Sequence, residues 1–276
     1  MKTNQYFYLI AGLPDLAITD TQLPVTTRDF LTGLDGKLSP VDLDLVRWLY
    51  YARDNRNLID MLLHKKTIHY EGYYSLQELE KGIKGSLSLP DYMTSFIEAF
   101  NEEKDRFTAA EWESRLIESY FAEGKRMRNA FLDQWIDFEV NLKNLLLVLG
   151  NRKRQLPGKA FIIEVNEMSS LFKGDGIADF GTEPALDFAG EAAKLLEKDN
   201  LMERERKIDL LRWKKVEEMT FFHYFTIERI LCFVIQLMIV ERWVTLHKKH
   251  EMRDLPFILQ SLTGKQELYN QTIEKP

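Results

Sequence analysis

Ile227-Glu228-Arg229-Ile230-Leu231-Cys232-Phe233-Val234-Ile235-Gln236-Leu237-Met238-Ile239-Val240 is apolar throughout except at Glu228, Arg229 and Gln236. Read at helical spacing, it carries two stripes. One is Ile227, Leu231, Val234 and Met238; the other is Ile230, Phe233, Leu237, Val240 and, further on, Val244. A helix that is apolar on more than one face lies in the middle of a bundle. Its longest nearly clean run, Ile230 to Val240, is about half a bilayer span. Charges at a span centre cost several kcal/mol each. The expectation is a helix buried in protein and no membrane span.

Working outward, the same helical signal extends from about Asn200 to His250, with a charged first part at Glu203, Arg204, Glu205, Arg206 and Lys207. A second long signal covers about Ala109 to Arg154, where Gly124 is a candidate bend or split. Its second half places Phe131, Trp135, Phe138, Leu142, Leu145 and Leu149 at alternating gaps of four and three. That seam packs along another helix at a shallow angle. Glu139 and Lys143, four apart, have the order of an exposed ion pair.

Local start signals agree. Ser39 precedes Pro40 with Asp42 in the first turn, and Ser75/Glu78 and Thr108/Glu111 have capping-box spacing. Thr182 with Pro184 suggests another start; Gly85 and the Leu156-Pro157-Gly158 break suggest stops. Only residues 160–165, rich in β-branched and aromatic side chains, read as a short strand. The predicted fold is all-α, a long-helix bundle with at most that minor strand, and roughly 60–70% helical. An N-terminal helical part, 1–156, and a C-terminal one, 157–276, are expected to form one continuous unit.

The chain has 276 residues, enough for a sizeable core without disulfide or metal staples. Its formal charge of -6 argues against a general nucleic-acid coat. The single cysteine, Cys232, excludes a disulfide framework and a cysteine-based zinc site, and fits a reducing compartment. The apolar part of the N-terminus is too short for a signal peptide.

Reaction chemistry is not evident. There is no Walker A sequence, and Gly174, Gly176 and Gly181 have the wrong spacing for a dinucleotide loop. His247 and His250 read as solvated helix-end histidines. The carboxylates from Glu98 to Glu118 read as a solvated face, without the Glu-x-x-His pairs of a helical di-metal site. No cofactor, metal or catalytic residue is expected. Glu228-Arg229, set in an apolar helix, is the anomaly. Buried charges persist when paired, so the pair either meets another helix or faces a cavity or partner.

Three segments carry a family resemblance. Tyr6-Phe7-Tyr8-Leu9-Ile10-Ala11-Gly12-Leu13-Pro14-Asp15-Leu16 resembles the opening of an uncharacterised bacterial family encoded among V-type ATPase subunits. More remotely, its tyrosine-x-tyrosine resembles that of the C subunit of V/A-type ATPases, whose eukaryotic counterpart is the d subunit. Asp137 to Leu145 is similar to the acidic helix of that protein, which bears asparagine and leucine, and Thr226 to Leu231 to its glutamate-containing helix near the C-terminus. The resemblance implies a non-catalytic, funnel-shaped helical protein with pseudo-repeated units, peripheral on the cytoplasmic face of the inner membrane. Its implied partners are the rotor shaft subunits and the membrane rotor ring, between which it transmits torque. An assembly factor or adaptor of the same complex is the alternative. Glu139, Asn141, Asn144, Glu228 and Arg229 match the family's helices, and are expected to orient them or to edge the cavity.

Overall fold

Ser39, Ser75, Thr108 and Asn200 each turn a side-chain oxygen onto the backbone N–H three residues ahead, and a helix begins at each. The computed structural model describes residues 5–65, 71–153, 161–173, 186–197 and 200–251. Of these, 73% are helical, and no strand occurs among them. The expected start at Thr182, the Leu156-Pro157-Gly158 break, the glycines at 174–181 and the side chain of His250 lie outside the described residues.

The α-helices are α1 (Phe7–Ala11), α2 (Thr27–Gly33), α3 (Pro40–Leu62), α4 (Leu76–Ile83), α5 (Asp91–Glu103), α6 (Ala109–Arg126), α7 (Ala130–Lys153), α8 (Ala189–Leu196), α9 (Leu201–Thr220) and α10 (Ile227–Glu251). After α4, Gly85 takes a φ of 71°, and Ser86 N–H donates to the Lys81 carbonyl at 2.8 Å. Glycine adopts this left-handed conformation at little cost, which closes the helix.

Six helices meet in a closed sequence of neighbours: α3 packs on α6, α6 on α7, α7 on α8, α8 on α9, α9 on α10, and α10 back on α3. The helices therefore form a ring. α10 also touches α2, so the C-terminal part wraps onto the N-terminal part. As its two stripes require, α10 is buried over most of its length, with Ile230, Leu231, Val234, Leu237 and Val240 fully enclosed. It is the one helix among the described residues long and apolar enough to cross a membrane, and 72% of that stretch is buried inside the protein.

Three sequence expectations need correction. The signal from Asn200 to His250 is two antiparallel helices, broken at residues 221–226. The aromatic run Phe221-Phe222-His223-Tyr224-Phe225 kept the apolar pattern going and contains no glycine or proline to mark the turn. The signal from Ala109 also splits at residues 127–129 and not at Gly124. Arg128 takes a φ of 51°, and Asn129 caps α7 by accepting from Leu132 N–H at 3.0 Å. Gly124 instead lets helices approach: a Cβ there would lie 2.5 Å from Trp48 Cζ2 and 2.6 Å from Ile136 Cδ1. Gly124→Ala is therefore expected to destabilise by about 1–3 kcal/mol through overpacking, although alanine is the better helix former. A chemical-denaturation midpoint at or above wild type would contradict this.

The third correction is the strand. Residues 161–164 belong to no helix or turn and have no strand partner among the described residues. Asn144 of α7 supplies both bonds instead, its Nδ2 donating to Ile163 O at 3.0 Å and its Oδ1 accepting from Ile163 N–H at 2.9 Å. The side-chain amide satisfies one residue as a neighbouring strand would. Ile162 and Ile163 are thereby held in the core.

Candidate functional site

Inside the ring lies a cavity of about 450 Å³, walled by α3, α6, α7, α9 and α10. Leu49, Leu116, Ile117, Ile235, Met238 and Ile239 supply apolar wall. The charged lining consists of Arg53 and Arg56 from α3, Glu113 from α6, Glu139 and Lys143 from α7, Asp209 and Arg212 from α9, and Arg242 from α10. A cavity of this size falls within the range of small-ligand pockets, about 300–1,000 Å³.

Its centre is a chain of charge-assisted hydrogen bonds across three helices. Arg212 donates from Nε to Glu139 Oε1 at 2.6 Å and from Nη2 to Oε2 at 3.3 Å, a two-point grip on one carboxylate. Its Nη1 reaches Asp209 Oδ1 at 2.9 Å. Asp209, 2% exposed, also accepts from Arg242 Nη1 at 2.9 Å and Trp243 Nε1 at 3.0 Å. Arg242 extends the chain to Glu205 at 2.7 Å. Burial alone lowers the pKa of Arg212, but Glu139 and Asp209 outweigh it and hold the guanidinium firmly charged. Burial likewise opposes Arg242, and Asp209 and Glu205 overcome it. These pairs tie α9 to α7 across the cavity, although the two helices are not neighbours in the ring.

A second cluster ties α10 to α3. Arg53 pairs with Glu241 and donates to the Met238 carbonyl at 3.2 Å and to Thr27 Oγ1 at 3.0 Å. Tyr50 donates to the Thr27 carbonyl at 2.6 Å, fixing α2 to the same place.

The five candidate residues fall into two groups. Glu139 is buried and lines the cavity, and Asn141 and Asn144 are buried on the same helix. Asn141 accepts from Asn166 Nδ2 at 3.1 Å, so together with Asn144 it holds the segment that follows α7. Glu139 does not pair with Lys143: the spacing on α7 is right for that pair, but Arg212 takes both carboxylate oxygens. Glu228 and Arg229 sit in the first turn of α10, away from the cavity lining. Glu228 bonds the Thr226 hydroxyl and faces His223, and Arg229 is exposed. They are not charges buried mid-helix, because α10 begins only at Ile227. Sequence reading passed over Arg212, Asp209, Arg242 and Arg53, whose one local signal was the three-residue spacing of Asp209 and Arg212.

The chain matches the model of a family described as a protein of unknown function (DUF2764) over residues 3–261. The chain belongs to the DUF2764 family. No curated protein matches it. No solved structure matches it. The DUF2764 match takes in both the ring and the aromatic elements beside it. Its description assigns no activity, so the likeness to the ATPase C subunit rests on the three short segments alone.

One further surface stands out in this DUF2764 chain. Phe7 of α1 meets Phe225 of the α9–α10 connection, and Phe7, Tyr8, Phe221, Phe222, Tyr224 and Phe225 are all exposed. Tyr6 N–H donates to the Phe225 carbonyl at 2.7 Å, and the Phe7 and Phe225 rings lie 4.5 Å apart. Tyr6 also bonds Asp42, which anchors the cluster to the start of α3. Clustered exposed aromatics of this kind mark interaction sites more often than chance scatter.

Proposed function

We propose that this protein is a non-catalytic coupling component of a V/A-type ATPase, resembling the C subunit, that joins the rotor shaft to the membrane rotor ring from the cytoplasmic side. The observation that carries this reading is the closed ring of six helices, five of which wall a charged cavity. A closed ring transmits twist well, because each helix is packed on two neighbours and close-packed interiors pass on strain. The Glu139–Arg212–Asp209–Arg242 chain braces the ring across its centre.

The shaft seats against the rim of the ring, where the charged side chains of five helices converge. The aromatic cluster serves as a second, separate contact. Ile227 beside the cluster and Ile235 on the cavity wall are eight residues apart, roughly 12 Å of helix.

The test is purification of the intact ATPase through a tagged copy of this chain. Stoichiometric head and ring subunits are expected, with no ATP hydrolysis by the chain alone. Phe222→Ser, at a position 80% exposed, is expected to cut ring recovery at least tenfold while leaving thermal unfolding unchanged. Recovery in sub-stoichiometric amounts, with the chain missing from the finished enzyme, would favour an assembly factor or adaptor. Failure to recover any ATPase subunit would reject both.

A further inference from the structure

The hydrogen-bond inventory of the cavity does not balance. Both oxygens of Glu139 and both of Asp209 are engaged by arginines or by Trp243, and Glu113 pairs with Lys65. Two donors remain. Lys143, half-buried on the α7 wall, makes no hydrogen bond or ion pair among the described residues. On the α3 wall, Arg56 gives its Nε to Asp60 at 3.1 Å, but its Nη2 is buried without a partner among the described residues. A buried donor left unmade costs about 1–3 kcal/mol, and more when it is charged. Between the paired charges the wall is apolar, at Leu49, Leu116, Ile117, Ile235, Met238 and Ile239.

We propose that the cavity binds an acidic group, a carboxylate or phosphate, carried on a short apolar body, with Lys143 as its main counter-charge and Arg56 as a second donor. Apolar walls with a few convergent polar groups are the usual form of a small-ligand site. The ammonium of Lys143 is held below the ordinary lysine range chiefly by burial; Glu139 opposes this and Arg212 reinforces it. That is the behaviour of a cation short of a counter-ion, which a bound anion supplies. The proposal does not depend on which proteins this chain assembles with.

Octanoate and octyl phosphate, titrated calorimetrically into the full chain, serve as probes, with 1-octanol and inorganic phosphate as controls. Each amphiphilic anion is expected to bind at least tenfold more tightly than octanol and than inorganic phosphate. Octanoate binding without octyl phosphate binding, or the reverse, identifies which acidic group the site takes and supports the proposal. Lys143→Met should weaken the anion at least tenfold and leave octanol unaffected, while Lys143→Arg should retain most of the affinity. In wild type, saturating octanoate should protect Lys143 from acetylation, read by peptide mass spectrometry; this arm needs no variant to fold. Anions that bind no better than octanol, or a Lys143 that acetylates equally fast with and without octanoate, would overturn the proposal.

Discussion

Arg212→Leu is expected to lower unfolding free energy by about 3–5 kcal/mol, the usual cost of removing one partner from a buried ion pair. The substitution strips Glu139 of both its bonds and Asp209 of one, and Glu139 is only 7% exposed. Two buried carboxylates would then have only Arg242 and Trp243 between them, both on Asp209. Because whole domains are stable by only about 5–15 kcal/mol, the loss should show as a large drop in the urea midpoint. Arg212→Lys keeps the charge but not the planar fork, so it should fall between leucine and wild type. A loss below about 1 kcal/mol for leucine would mean that water entering the cavity hydrates both carboxylates, and that the chain of pairs does not brace the ring.

Asp54 is expected to make wild-type stability fall as pH rises from about 4 to about 7. Its side chain is fully buried on α3 and accepts from Tyr73 N–H at 3.0 Å and Tyr74 N–H at 3.1 Å. Burial raises its pKa from 3.8 to about 7, against the lowering effect of those two bonds. In the unfolded chain Asp54 loses its proton near pH 4, whereas in the fold it keeps it until about pH 7. Between those values the folded state holds more protons, so each pH unit costs about 1.36 kcal/mol, a total on the order of 4 kcal/mol. Below about pH 4 and above about pH 7 this contribution is flat. Asp54→Asn removes the titration, so the difference in unfolding free energy between the two proteins isolates it. Wild type should lead at about pH 4 and lose ground steadily up to about pH 7. A difference that does not change over that range would mean that the two backbone bonds keep Asp54 ionised throughout.

The cavity and the Asp54 site share a property that explains why neither was legible beforehand. Glu139 and Arg212 are 73 residues apart in sequence, and Arg53 and Glu241 are 188 apart. In each case the partner is chosen by which helix faces meet, and nothing in the flanking sequence encodes that. Glu139–Lys143 shows the hazard: a favourable local spacing was present, and a distant arginine with a better fork displaced it. The Asp54 partners, Tyr73 and Tyr74, follow a segment with no periodic signal. The aromatic cluster was hidden for a different reason, since exposed and buried phenylalanines look alike in a hydrophobic pattern.

What the residues determined unaided was everything governed by the nearest turn of chain. Ser39 with Pro40, Ser75 with Glu78 and Thr108 with Glu111 each start a helix by satisfying their own first-turn N–H groups, and the double stripe of α10 demanded a central position. Those are interactions over three or four residues, and they survive translation into one dimension. Tertiary packing alone decided that six helices close into a ring, that Gly124 is a crossing point and not a bend, that Asn144 stands in for a strand, and that charges on α7, α9 and α10 converge around a cavity. Burial and charge pairing depend on distances between faces, and those distances exist only once the helices have packed.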